Sequence, residues 1–365
     1  MDELINVQRK RKAFIIEEFT RFGGGQTVFG EVYSVLREIF TDVKVVTDKV
    51  HTYIPKQIPS NDIITTKLSN TNWDSPLKLL PKIYFLKREL RALPGDEFSF
   101  NNHPNVFIYN ATVNFGHELF GFLNQNQKES NKLKILAIRK AGIFRTYVGA
   151  YFLTNGSYTE RILKDTFSKL GISNIKIEKI DLPTFQPENL ELRKKEDIVL
   201  TFGRISKDKN LEMILDLCSQ MPRIRFIISG RAVKMDQPYL QYLIDNRPKN
   251  LTILANPDKL KKDQLFRKAR VYLHTKKFEN YGISVAEAVS YGCFPIVPSE
   301  GGAYDDILMG GRIGRGYSNI SEIKELIYEG INSSVEELHN ILQTRGRFSP
   351  VEFKLKLRNI IEDKI

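Results

Sequence analysis

Cysteine is almost missing from this chain: 365 residues contain two, Cys218 and Cys293, both set in apolar stretches. A disulfide framework and a Cys-x-x-Cys ligand pair are therefore excluded, and a reducing compartment is expected. No uninterrupted run of eighteen apolar residues occurs, which excludes a membrane-spanning helix. The stretch Met1-Asp2-Glu3-Leu4, running into Gln8-Arg9-Lys10-Arg11-Lys12, lacks the apolar core of a signal peptide. The expected location is cytoplasmic, at most peripheral on the cytoplasmic face of a membrane. His51, His274 and His339 form no His/Cys/Glu group with metal-ligand spacing, and no repeat with a period of 20–50 residues is found.

What is present describes a globular protein: 41% hydrophobic and 27% charged residues leave no room for disorder or low complexity. The length suggests two domains. The formal net charge of +12 attracts anions of any kind without choosing among nucleic acid, membrane surface and phosphorylated small molecules.

Short β-rich runs at 13–16, 43–46, 198–200, 225–228, 252–254, 271–274 and 294–297 alternate with helical patterns, which argues for an α/β fold with parallel sheets. In the second half, strands at 198–202, 225–229, 252–254, 271–274 and 294–297 read as one doubly wound sheet, with helices at 208–220, 261–269 and 284–291. The Pro-containing, charge-rich segment 182–197 reads as a linker between a domain 1–181 and a domain 198–349. The stretches 60–76 and 124–134 read as loops. Ser349-Pro350-Val351-Glu352 opens a closing helix, 350–365, expected to pack back on the first domain.

The most informative stretch, 278–302, reads FENYGISVAEAVSYGCFPIVPSEGG. It holds Glu279 and Glu287, a turn at Gly282, a helix starting at Ser284, and the pair Gly301-Gly302. A helix N-terminus offers unpaired N–H groups and the positive end of a dipole, so Gly282 to Val285 suits a phosphate or diphosphate. Beside such an anion Glu287 needs a neutral, donor-rich partner, and a ribose supplies one. Ser284-x-x-Glu287 also fits a capping box, the competing structural reading. The segment Thr201-Phe202-Gly203-Arg204-Ile205-Ser206-Lys207-Asp208-Lys209-Asn210 follows the first strand of the second domain. Gly203 reads as a sharp turn there, and Arg204 and Lys209 as two cations suited to adjoining phosphates. Both motifs point to the crevice beyond the carboxyl ends of the strands.

Together these residues resemble glycosyltransferase family 4, in the Gly203-Arg204…Lys209 motif and in Glu279-Asn280-Tyr281-Gly282-Ile283 continuing through Glu287-Ala288 and Gly292 to the glycine pair. The resemblance covers most of 198–305 well and the first domain loosely. It implies a GT-B fold, two Rossmann-like doubly wound domains facing across a cleft, and retaining transfer of a hexosyl group from a nucleoside diphosphate sugar, UDP- or GDP-linked. It implies that Arg204 and Lys209 hold the diphosphate, Glu287 the ribose and Glu279 the donor sugar. Tyr281, Gly282, Ile283 and Ser284 would meet the donor through backbone groups, with the base near Gly230-Arg231 and Asn256-Pro257. No metal is required on this reading, because the positive groups take its place.

In the first domain, Arg21-Phe22-Gly23-Gly24-Gly25-Gln26 is a glycine-rich turn after the first strand, and the family reading sets Gly24 and Gly25 at the cleft. It is not a dinucleotide fingerprint, since the third glycine position counted from Gly23 is Val28. It is not a P-loop either, since Gly30 is followed by Glu31 and Val32. The family's cleft histidine is assigned to His117, which ends the β-like run 106–115, with His103 the competitor. Asn155-Gly156-Ser157 matches a turn at the end of that domain's last strand.

From 73 to 93 the chain reads WDSPLKLLPKIYFLKRELRAL. As a basic amphipathic helix, residues 77–93 would suit an anionic membrane, and a lipid-linked saccharide or glycolipid acceptor would follow; a saccharide or glycoprotein is the other acceptor class. Two further readings are a nucleic-acid-binding protein and a GT-B-fold sugar-nucleotide epimerase. The first is disfavoured because the basic residues are dispersed and no nucleic-acid module is present, so no nucleic-acid partner is expected. The second would lack a separate acceptor site.

Overall fold

The computed structural model describes residues 10–17, 24–47, 54–65, 98–101, 113–116, 151–169, 171–172 and 174–365. It divides into two compact units, Met1–Pro183 with Pro350–Ile365, and Thr184–Ser349.

The first unit is built on a parallel sheet of β1 (Lys10–Ile16), β2 (Phe40–Thr47), β3 (Ile63–Thr65), β4 (Phe98–Asn101), β5 (Val113–Phe115), β6 (Tyr151–Thr154) and β7 (Lys176–Lys179). Their spatial order is β3-β2-β1-β4-β5-β6-β7. Ala13 to Ile16 are all buried, as a central parallel strand covered on both faces requires. Helix α1 (Gly24–Ile39) turns Val28, Val32 and Leu36 inward at a spacing of four. Phe29 of α1 meets Phe100 and Phe115 edge-on, with centroids 6.1 and 6.2 Å away.

The C-terminal helix, Pro350–Glu362, completes this unit by burying Phe353, Leu357, Ile360 and Ile361. Lys354 pairs with Glu31 at 3.2 Å and Arg358 pairs with Glu38, both partners on α1. Helix α2 (Ser157–Lys169) starts at a turn in which buried Asn155 accepts from Thr159 Oγ1 at 2.8 Å, so Asn155-Gly156-Ser157 initiates a helix. The first part of the expected loop 60–76 is a 3-10 turn, Ser60–Asp62, followed by β3. His103, His117, 73–93 and 124–134 lie outside the described residues.

The second unit carries β8 (Glu196–Phe202), β9 (Arg225–Gly230), β10 (Leu251–Ala255), β11 (Ala269–Leu273), β12 (Phe294–Pro298) and β13 (Arg315–Tyr317), all parallel, in the order β10-β9-β8-β11-β12-β13. Counted within the unit this is 3-2-1-4-5-6, the Rossmann order. The described helices here are α3 (Glu212–Gln220), α4 (Gln237–Asp245), α5 (Lys259–Lys268), α6 (Ile283–Ser290), α7 (Ile320–Ile331) and α8 (Val335–Gln343). The sheet has six strands where the sequence showed five, and the polar segment after β9 contains α4.

The segment 182–197, expected as a linker, is grouped with the second unit from Thr184 onward. Thr184 N donates to Phe348 O at 2.8 Å, and the Thr184 and Ser290 hydroxyls are 3.2 Å apart. Lys195 is buried, and its Nζ donates to Ala269 O (2.7 Å) and Phe266 O (3.1 Å), 3.5 Å from Cys293 Sγ. Burial drives the Lys195 pKa down and the Cys293 pKa up, with the Cys293 thiol partly offsetting the first shift. The Pro and charge content of the segment hid these anchors, because three backbone carbonyls in another part of the chain supply the lysine's partners.

Candidate functional site

The order of the second sheet reverses at β8, with β9 on one side and β11 on the other. Chains leaving β8 and β11 diverge, and the crevice between their carboxyl ends is where open α/β sheets bind ligands. Gly203, Arg204, Lys209, His274, Thr275 and Ser284 line a pocket at this end.

Gly203, one of the lining residues, takes part in a close backbone contact. Gly230 has φ +142°, and a Cβ there would stand 1.6 Å from Gly203 O. Arg231 N donates to Gly203 O (3.1 Å), Ile205 N to Arg231 O (2.7 Å) and Asn256 N to Gly230 O (2.7 Å). The glycine that this turn demands is thus Gly230. Among the described residues a Cβ on Gly203 meets nothing within 4 Å, so the reading of Gly203 as the residue the turn requires is corrected. The Gly301-Gly302 pair has a related role: Glu279 bridges Gly301 in parallel, and a Cβ on Gly302 would lie 2.0 Å from Asn280 O. Those glycines let two backbones meet behind Glu279.

Glu279 and Lys209, 70 residues apart in sequence, pair at 2.6 Å with side chains 16% and 22% exposed. Thr275 Oγ1 donates to Lys209 O at 2.5 Å, fixing the backbone that carries the lysine. Burial pushes the Glu279 pKa up, but Lys209 and His274 together outweigh it and hold the carboxyl well below its ordinary range. Arg204 Nε donates to Ser206 Oγ at 3.0 Å and its Nη2 to Asp208 Oδ1 at 2.9 Å.

Helix α6 begins at Ile283, one residue before the expected start. Gly282, with φ +92°, is its N-cap, and no side chain caps it. The capping-box reading of Ser284 and Glu287 fails accordingly: Glu287 Oε1 accepts from Lys262 Nζ of α5 at 2.5 Å. The Lys262 ammonium also sits 5.2 Å from the Phe202 ring centroid. Tyr281 is buried, 2% exposed.

Gly24 and Gly25 open α1 in the other unit. A Cβ on Gly25 meets nothing within 4 Å, so no contact among the described residues requires glycine there. His117 lies outside the described residues.

Sequence reasoning passed over His274 because it searched for metal-ligand spacing. The informative signal was its place at the end of β11. His274 is 5% exposed, with its N–H donating to Ile296 O (2.8 Å) and its O accepting from Tyr317 OH (3.0 Å). Its Nε2 stands 3.5 Å from Glu279 Oε2, too far for a well-made hydrogen bond, and has no hydrogen-bond partner among the described residues.

Burial holds the imidazole pKa below 6.5, against the opposing pull of Glu279 and with help from Lys209 and Lys276. The folded protein therefore binds this proton less readily than the unfolded chain. Its contribution to stability is complete above about pH 6.5 and declines as pH falls below that value; Glu279 acts in the same sense at lower pH. Denaturant unfolding from pH 8 to pH 5 is expected to show falling stability below about pH 6.5, with a shallower fall in His274→Gln. A pH slope identical in the two proteins would contradict this assignment.

Residues 184–346 match the family model described as "Glycosyl transferases group 1", nearly the whole of the second unit. Over 125 residues the chain is 26% identical to the phosphatidylinositol N-acetylglucosaminyltransferase gpi3 subunit of Schizosaccharomyces pombe, covering 32% of this chain and 27% of that protein. The match thus spans about a quarter of that curated relative.

Among solved structures, Anabaena HepE in complex with UDP and glucose superposes with a TM-score of 0.70 at 14% identity, covering 96% of this chain and 99% of that one. A glycosyltransferase from Rickettsia africae gives 0.72 at 14% identity, covering 97% and 98%. The chain has the GT-B fold, with two Rossmann-like parallel-sheet units.

Proposed function

We propose that this chain is a retaining glycosyltransferase of family 4 that moves a hexosyl group from a nucleoside diphosphate sugar to a hydroxyl of a saccharide or glycolipid. The observation that carries the reading is the meeting of Arg204, Lys209, Glu279 and the N-terminus of α6 at the switch point of the second sheet. The match of 184–346 to a glycosyltransferase model and the UDP bound by the Anabaena relative support it.

Arg204, Lys209 and the N–H groups of α6 bind the diphosphate and stabilise charge as it leaves, which is the protein's main contribution to rate. They supply positive charge that a divalent metal gives elsewhere. Glu287 takes the ribose hydroxyls, sharing its carboxylate with Lys262, and Glu279 takes a hydroxyl of the transferred sugar. The bond between the anomeric carbon and the β-phosphate oxygen breaks while the acceptor oxygen bonds to that carbon from the same face. The acceptor's proton passes to the departing phosphate oxygen.

A thermal-shift series of the full chain with UDP, GDP, ADP and their sugars tests the reading. One nucleotide family at 100 times its dissociation constant adds about 2.7 kcal/mol. Glu287→Ala is expected to lose that shift while remaining folded. No shift with any nucleotide would overturn the proposal.

A further inference from the structure

The ends of β8 and β11 also hold a carboxylate that none of the motifs assigns. Asp208 lies on the 3-10 turn Lys207–Lys209. Its Oδ1 accepts from Arg204 Nη2 (2.9 Å) and from Ser206 Oγ (2.6 Å), and Lys276 Nζ stands 3.4 Å from its Oδ2. Lys276 follows β11 and is 68 residues distant in sequence, so the fold creates this meeting. Burial pushes the Asp208 pKa up, but Ser206, Arg204, Lys276 and Lys209 outweigh it and draw the carboxyl below its ordinary range.

Stability is a poor reason for this gathering, because the Asp208 and Arg204 side chains are 43% and 37% exposed and such pairs add little. A guanidinium, a hydroxyl and an ammonium converging on one anion are the donors that a phosphate group takes. Arg204 is one of the diphosphate ligands in the function proposed above. A phosphate oxygen that takes the same Nη2 must displace the Asp208 carboxylate, since two like-charged oxygens on one N–H group repel each other.

We propose that Asp208 is a built-in competitor for the donor's phosphate, holding Arg204 and Lys276 until a diphosphate displaces it, and that Lys276 is a third cation of the diphosphate site. The inference rests on the donor-site reading. Its half-exposed position lets Asp208 swing into solvent when displaced. The exchange favours multiply charged ligands, because an incoming anion must outcompete a carboxylate already in place, which a singly charged anion does poorly. Lys209 and Glu279 form a second pair of the same kind alongside.

Isothermal titration of the full chain with inorganic pyrophosphate, and separately with UDP, GDP and ADP, at one fixed ionic strength tests this. Asp208→Asn is expected to bind pyrophosphate about five- to tenfold more tightly than wild type, and Lys276→Gln about five- to tenfold more weakly. Asp208→Ser serves as the second variant should the first fail to fold, with circular dichroism reporting the fold of each. Weaker binding by Asp208→Asn would overturn the proposal, since Asp208 would then be positioning Arg204 for the ligand. Unchanged binding by Lys276→Gln would overturn it as well.

Wild-type binding of pyrophosphate without any nucleoside diphosphate would sink the glycosyltransferase reading and leave the exchange standing on its variants. Nucleotide binding with variants equal to wild type would sink the exchange alone. Absence of binding by all four probes contradicts both.

Discussion

Lys209→Met is expected to lower sugar transfer by about three orders of magnitude and to destabilise the second unit by about 2–3 kcal/mol. The two effects have one cause. In the proposed function Lys209 supplies positive charge for the departing diphosphate, and among the described residues it is the nearest cation to Glu279, at 2.6 Å. A neutral side chain removes both, leaving a carboxylate 16% exposed with only the 3.5 Å contact to His274 and the more distant Lys276. Donor turnover and denaturant unfolding read the two losses separately. Lys209→Met/Glu279→Gln is expected to recover much of the stability and none of the turnover, because it removes the stranded charge without restoring the cation. Full turnover in Lys209→Met would remove this residue from the chemistry.

Gly230→Ala is expected to cost at least about 4 kcal/mol and to abolish nucleotide binding in whatever fraction still folds. A methyl group there would overlap Gly203 O at 1.6 Å, with Gly203 C and N at 2.7 and 2.9 Å, and φ +142° disfavours any L side chain. All three atoms are backbone, so no rotamer change relieves the overlap. The strand-end loop bearing Arg204 must move as a body. Gly25→Ala is the contrast: it lies in a helix with no described atom within 4 Å of the new methyl, and its effect should fall within about 1 kcal/mol of wild type, on the stabilising side. Both are measured by denaturant unfolding of the full chain, with nucleotide titration for the first.

The second unit was legible in sequence because its parallel strands carry buried apolar runs, such as Ile198-Val199-Leu200 in β8 and Phe294-Pro295-Ile296-Val297 in β12. β13 escaped notice because Arg315-Gly316-Tyr317 is three residues long and has no apolar run. Helix α4 was obscured by the polar approach to Gln237-Pro238.

That Arg204, Lys209 and Glu279 lie at one crevice followed from the rule for strand ends. Side-chain partners drawn from distant segments did not. Lys262 on Glu287, Lys276 on Asp208 and Lys195 among three carbonyls each depend on two elements brought together by the sheet order. Gly203 was singled out for a turn whose steric demand falls on Gly230, since the sequence shows which residue is glycine and not which backbone lies against it.

The central claim is that a nucleoside diphosphate is held at the carboxyl ends of β8 and β11 by Arg204, Lys209 and the start of α6. A crystal structure of the full chain with UDP or GDP, whichever gives the larger thermal shift, tests it most directly. The account predicts both phosphates within hydrogen-bond reach of Arg204, Lys209 and the backbone N–H groups of 282–284, with Asp208 turned away from Arg204. A nucleotide ordered elsewhere, with Lys209 still on Glu279 and Arg204 still on Asp208, would contradict it.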